Sequence, residues 1–312
     1  MRLSDIEIKK YFLKEDTQNY FPENFLIKIN NTHEHSFKNN FPKISIVMPS
    51  YNQATYIEKS ILSILNQDYS NFELIIIDGG SVDNTIEIIK KYEHRIAYWA
   101  SNKDNGQSDA LNIGFSHAKG EIFGWLNSDD LYMPGAFNLV VETYDNNKEL
   151  EIVYGDWLSI DDNDKVIDLN HAFDFNVDHF KYESFHINAQ SMFWKKKVHD
   201  NFSGFNLDLI YTMDYQMILE FGLFVNKKSY KRVDYPLGAF RRHQKQKTQG
   251  FTKKILNEHI QISKRYNFED KYRISGKVKR FFFRVRRFIW YLKRGGINNL
   301  LHRLYLAYVQ KK

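Results

Sequence analysis

Several short stretches carry residue types that could do chemistry together. Asn127-Ser128-Asp129-Asp130 places two adjacent carboxylates just beyond an apolar run. Such a pair suits a hard divalent cation, Mg2+ or Mn2+, which takes oxygen ligands and often binds through one or two carboxylates plus a substrate's phosphates. Taken alone, the pair reads by default as a solvated turn and helix N-cap ahead of Met133-Pro134. Val47-Met48-Pro49-Ser50-Tyr51-Asn52 either ends a strand at its proline or forms a nucleobase slot, with the Tyr51 ring as one wall. In Asp78-Gly79-Gly80-Ser81-Val82-Asp83-Asn84-Thr85 the glycines allow close backbone approach, and Asp78 could accept a hydrogen bond from a base or ribose. Asp83 in that stretch, and the end of Asp104-Asn105-Gly106-Gln107-Ser108-Asp109-Ala110, also read as helix caps.

These side chains need a scaffold that gathers them. Ile44–Met48, Phe72–Ile77, Ile96–Trp99 and Glu121–Leu126 are short apolar runs that predict strands. Between them, Ala54 to Leu65, Ile86 with Ile89, and Leu111 to Ala118 keep helical spacing. Strands alternating with helices indicate crossover units and an α/β fold with a mostly parallel sheet flanked by helices. Asn52, Asp78, Asp129 and Asp130 each follow a strand, and in open α/β sheets the ligand lies beyond the strands' carboxyl ends. Further on, the pattern loosens. Strands are expected at 152–154 and 191–194, and helices at 212–221 and 250–266. The expected organisation is a polar, Asn-rich lead-in over 1–42 with one short helix, a domain over 43–245, and a basic helical tail over 246–312.

Composition removes several classes. The 312 residues include no Cys, which excludes disulfides, Cys-ligated metal centres and a thiol nucleophile. No apolar run reaches eighteen residues and the N-terminus shows no apolar leader, so neither a transmembrane helix nor a secretory signal is expected. The net charge of +6 is unevenly spread: residues 271–312 hold 13 Lys and Arg and no acid, leaving 31 basic against 38 acidic residues before them.

Taken together and in order, the motifs resemble those of the inverting glycosyltransferases of family 2, nucleotide-sugar enzymes with a GT-A fold. The resemblance covers roughly 43–245. It rests on the stretches around Pro49, Asp78 and Asn127, on Gly106-Gln107-Ser108-Asp109-Ala110-Leu111-Asn112-Ile113-Gly114, on Tyr211-Thr212-Met213-Asp214-Tyr215 and on Phe240-Arg241-Arg242-His243. It implies a nucleotide-binding half over 43–150 and an acceptor half over 151–245. It further implies that Pro49, Tyr51, Asn52 and Asp78 hold the nucleoside, that Asp109 and Asn127 lie near the ribose or sugar, and that Asp129 is the chief metal ligand. Asp130 and His243 follow as further metal ligands, and Asp214 as the base on the acceptor hydroxyl. The chain departs from the family's Asp-x-Asp pattern at its first position, Asn127. His243 also reads as part of a solvated basic loop with Arg241, Arg242, Lys245 and Lys247.

The tail adds a partner. Val278, Phe281, Phe282, Val285, Phe288, Ile289 and Leu292 recur at three- and four-residue steps among Lys and Arg, and a second apolar pattern follows Gly295-Gly296. A helix of this type can lie in a membrane interface, pack on the body, or, from charge alone, bind nucleic acid. The aromatic stripe needs burial, so the expectation is an anionic membrane surface reached through 271–312, with no nucleic acid partner. The enzyme is accordingly expected in the cytoplasm, peripheral on the inner membrane face, moving sugar from a nucleotide-sugar donor to a glycan or lipid-linked acceptor in surface polysaccharide synthesis. A sugar-1-phosphate nucleotidyltransferase would need a Gly-rich triphosphate loop near the first strand, which Pro49-Ser50-Tyr51-Asn52 does not supply. A non-catalytic nucleotide-binding scaffold would not need the carboxylates Asp129, Asp130 and Asp214.

Overall fold

The computed structural model describes residues 42–183, 187–244, 246–247 and 253–309. The lead-in helix expected within 1–42 lies outside the described residues. One nine-stranded sheet organises the rest: β1 (Ile44–Ser50), β2 (Phe72–Asp78), β3 (Tyr98–Ser101), β4 (Ile122–Trp125), β5 (Leu131–Tyr132), β6 (Ile152–Ile160), β7 (Val166–Asn170), β8 (Met192–Lys195) and β9 (Tyr230–Arg241). The spatial order is β3-β2-β1-β4-β8-β6-β9-β5, with β7 hairpinned onto β6. β3, β2, β1 and β4 run parallel, as the crossover pattern predicts. β8 turns antiparallel between β4 and β6, and β6 and β9 are again parallel. β3 lies at Tyr98–Ser101, two residues beyond its expected position.

Alternation along β1 explains the two-sided core. Ile44, Ile46 and Met48 face one layer with α1 (Ile57–Leu65), α2 (Thr85–Lys91) and α4 (Ala136–Asn146). Val47 faces the other, with α3 (Gln107–His117) and α7 (Met213–Phe224). α3 comes close to β1: a Cβ added at Gly114 would lie 2.3 Å from Val47 Cγ1. The short helices α5 (Val177–Glu183) and α6 (Lys196–His199) complete the second layer, and α8 (Lys253–Arg265) leads into α9 (Ile274–Val309).

Two features differ from the sequence reading. β9 is long yet polar, and it contains Pro236. The proline sits where the β6–β9 register shifts opposite Asp156, so the ladder bond it cannot donate falls at an irregularity. The tail is one helix, running through Gly295-Gly296 without a break. Two interior glycines cost ~1 kcal/mol each, less than stopping a helix and nucleating another. No helix among the described residues is long and apolar enough to cross a membrane.

Candidate active site

The carboxyl ends of β1, β2 and β4 lie side by side, and the loops leaving them build the site. Asp78 ends β2, fully buried. Its Oδ2 accepts from the Gly80 and Ser81 N–H groups (3.1 and 2.8 Å) and from the Ser101 hydroxyl (2.7 Å). Its Oδ1 accepts from the Ser81 hydroxyl at 2.5 Å. Both oxygens are thus engaged in shaping the glycine loop. The neighbouring loop after β1 docks on it: Asn52, in the left-handed region (φ 52°), donates its N–H to Ser81 Oγ (2.7 Å) and accepts from Val82 N–H (2.9 Å). Pro49 is buried within β1, and Tyr51 stands out at 59% exposure, its ring free to stack. The adjacent Gly79 leaves room for Asp104: an added Cβ would lie 3.0 Å from both Asp104 carboxylate oxygens. Burial and then the nearby charge of Asp109 push the Asp104 carboxyl up. Asp109, in the first turn of α3, accepts from the Asn105 backbone N–H (3.0 Å) and side-chain amide (2.9 Å).

The loop after β4 is held from two sides. Asn127 Oδ1 accepts from Gln107 Nε2 (2.7 Å) and Trp125 Nε1 (2.8 Å), and its amide donates to Asp130 Oδ2 (3.1 Å). Asp130 is buried; its Oδ1 accepts the Arg241 N–H at 2.9 Å. Burial and the adjacent Asp129 push its carboxyl well above the carboxylate range, against the pull of these two donors. Asp130 therefore spends both oxygens inside the protein, tying its loop to β9. Asp129 points the other way. Its Oδ2 lies 3.0 Å from His243 Nε2, although the two residues are 114 apart in sequence.

Arg241 makes that convergence possible, and it is not the solvated loop cation that its basic neighbourhood suggests. Fully buried, it donates from Nε to the Asp129 carbonyl (2.8 Å) and from Nη1 to the Asp161 carbonyl (2.9 Å). Its Nη2 pairs with Asp164 at 2.5 Å, and its guanidinium lies over the Tyr56 ring, 4.9 Å from the centroid. The acidic run Asp161-Asp162-Asn163-Asp164 is the β6–β7 turn, with Asp162 accepting from the Tyr56 hydroxyl (2.6 Å) and Asp164 paired with Lys59 and Arg241. Lys247 is a cation at the site: it donates to Gln107 Oε1 at 3.2 Å and interacts with Asp104 and Asp129. Loss of hydration lowers its pKa. Nothing in its sequence neighbourhood separates it from Lys245.

Asp214 sits in the first turn of α7, joined to this group through α3 rather than by direct contact. Gln107 of α3 touches Asn127, while the next residue, Ser108, donates to the Leu209 carbonyl (3.0 Å) of the loop leading to Asp214. Burial raises the Asp214 carboxyl from an ordinary 3.8 to about 7, with the Glu258 charge adding and the Tyr215 N–H (2.7 Å) opposing.

Among the described residues no group of three or more His, Asp or Glu side chains is placed to hold a metal ion. The protein offers instead a carboxylate and an imidazole side by side, Asp129 and His243. An oxygen and a nitrogen donor fit Mn2+, or Mg2+ less closely, provided oxygens from elsewhere complete the shell.

Residues 45–207 match the family described as glycosyl transferase family 2. A hyaluronan synthase of Pasteurella multocida is 34% identical over 211 residues, covering 64% of this chain and 21% of that protein. The chain spans only about a fifth to two-fifths of the first relatives' length. Among solved structures, Staphylococcus aureus TarS 1–349 in complex with UDP-GlcNAc aligns at a TM-score of 0.56 and 14% identity, covering 82% of this chain and 89% of that one. The mannosyltransferase PcManGT of Pyrobaculum calidifontis, in complex with GDP-Man and Mn2+, aligns at 0.50 and 12% identity over 92% of this chain and 87% of that one. At such identities the likeness establishes the fold.

Proposed function

The chain belongs to glycosyltransferase family 2, and from that premise we propose an inverting transferase that moves a sugar from a nucleoside-diphosphate donor to an acceptor hydroxyl. The observation that carries the proposal is the meeting of Asp129, in the loop between β4 and β5, with His243, just beyond β9 and 114 residues away in the chain. The donor complexes of TarS and PcManGT support a nucleotide-sugar here. Tyr51 offers a face for the base beside the loops of Pro49, Asn52 and Asp78, and Asp109 and Asn127 line the approach to ribose and sugar. Asp129 and His243 would hold the divalent cation, with room for oxygen ligands from the donor to complete it. When bound, it supplies positive charge against the charge growing on the leaving diphosphate. Asp130, engaged on both oxygens, holds the loop that presents Asp129.

Asp214 is assigned as the base. As the acceptor oxygen bonds to the anomeric carbon, the bond from that carbon to the diphosphate oxygen breaks and its electron pair leaves with the nucleotide. The hydroxyl proton passes to Asp214, whose pKa near 7 suits proton removal near neutrality. One displacement from the opposite face inverts the anomeric centre. We place this reaction in surface polysaccharide synthesis on a glycan or lipid-linked acceptor at the inner face of a membrane.

A thermal-shift panel of nucleotide sugars with and without Mn2+ tests the donor and metal assignments. At a donor concentration of roughly 100 Kd, selective binding raises stability by ~2.7 kcal/mol, about 5–10 °C for a domain of this size. The expected result is a shift that needs both a matching donor and Mn2+ and disappears in Asp129→Ala. A full metal-dependent shift in that variant overturns the metal assignment.

A further inference from the structure

α9 is amphipathic in the opposite sense to an ordinary surface helix. Its basic and mixed face is the one that grips the body. Lys279 Nζ pairs with Asp270 (2.8 Å), Arg287 Nη2 pairs with the buried Glu183 (2.7 Å), and Phe283 stacks on His179 with centroids 4.9 Å apart. Trp290 Nε1 donates to Asp174 at 3.2 Å, and the Tyr291 hydroxyl donates to the His171 carbonyl at 3.3 Å. The apolar face points out. Val278, Phe281, Phe282, Val285, Phe288 and Ile289 are all exposed, Phe281 and Phe282 at 63% and 66%. At 3.6 residues per turn they share an arc of about 120°, opposite the gripping face. Exposed cations border both edges of the arc, Lys277 on one side, next to an Arg284 that also reaches Glu183 at 3.2 Å, and Arg286 and Lys293 on the other.

We propose that this outward stripe of α9 seats the catalytic domain on an anionic lipid bilayer. A contiguous aromatic stripe of this extent is unusual on a free surface. Its border of cations matches lipid phosphates lying just above an apolar layer, the arrangement that holds interfacial helices in place. A second copy fits less well. Two such helices face to face would set Lys and Arg against Lys and Arg, with no acid anywhere in 271–312 to pair with them.

The inference goes beyond the transfer chemistry and does not depend on which donor is used. It does place the acceptor side of the enzyme near the lipid. α9 packs on α5, and Phe180 of α5 stacks on Tyr215, the neighbour of Asp214, with ring centroids 4.8 Å apart.

The test is sedimentation of the 312-residue chain with phosphatidylcholine vesicles containing about a third phosphatidylglycerol. Binding is expected, falling at least about tenfold in Phe281→Glu/Phe288→Glu, because charges replace apolar side chains that enter the bilayer. Arg286→Glu/Lys293→Glu should lose a similar factor, most visibly at low salt. All four positions are exposed, so both variants should fold and keep the wild-type thermal response to nucleotide sugar. That response separates failure of docking from failure of the transferase reading. The proposal is overturned if the full chain does not sediment, if the Phe281→Glu/Phe288→Glu variant binds vesicles like the parent, or if the stripe instead mediates self-association that this variant abolishes.

Discussion

Replacing Asp214 by asparagine separates what the carboxyl does for transfer from what it costs the fold. Burial and Glu258 hold the Asp214 pKa near 7, about three units above its ordinary 3.8. At ~1.4 kcal/mol per unit, ionising it in the folded protein costs up to ~4 kcal/mol relative to the unfolded chain. The side chain is partly exposed, so we take about 2 kcal/mol as the working figure. The sign follows from a raised folded-state pKa. Below about pH 4 both states are protonated and the group costs nothing extra. The stability it contributes as a neutral acid is lost as pH rises through 7. The amide of the Asp214→Asn variant cannot ionise and keeps a carbonyl for the Tyr215 N–H. The variant should therefore match wild type near pH 4 and exceed it by about 2 kcal/mol at about pH 8, read by urea unfolding at both. Transfer should fall ~10²–10⁴-fold while the thermal response to donor is retained. Wild-type single-turnover transfer should climb about tenfold per pH unit up to about pH 7 and then level. Near-normal transfer by the variant would refute the base assignment, and a stability difference that ignores pH would refute the electrostatic account.

Asn127→Asp, which restores the family's acidic first position, should destabilise the protein by ~1–3 kcal/mol at about pH 8, because a carboxylate oxygen replaces the amide that donates to buried Asp130; an unchanged urea midpoint would contradict this. Gly114→Ala should cost ~1–3 kcal/mol despite alanine's helix preference, since the new methyl meets Val47 Cγ1 at 2.3 Å. Combining it with Val47→Ala should recover part of that loss, and strict additivity in the double-mutant cycle would show that the two side chains do not collide.

The parallel strands were readable because burial on both faces leaves continuous apolar runs such as Ile44–Met48 and Phe72–Ile77. β9 was not. Lys231, Arg232, Asp234 and Pro236 break any period, and the strand is specified by its partner β6 rather than by its own composition. In the tail, periodicity announced a helix but could not say which face the body would take. That depended on acids at 183 and 270 in other elements. Motif order pointed to Asp129 and His243 together. It could not reveal that Asp78 and Asp130 spend their oxygens on neighbouring loops, or that Arg241 lies buried against backbone carbonyls. A carbonyl is the same in every residue, so a cation that binds carbonyls leaves no mark on the residues it touches.

The pinning of Asp129 by Arg241 also has a consequence for how the molecule comes into being. The ribosome delivers β1, β2, β4 and the loops after them early, and the matched family region, 45–207, is complete before β9 is made. Yet the loop bearing Asp129 has neither its imidazole neighbour nor its guanidinium fastener until residues 241–243 have left the exit tunnel. A nascent chain stalled before that point should hold its parallel strands while the Asp129 loop stays unfastened, so that loop would take its final shape in a single step once β9 has emerged.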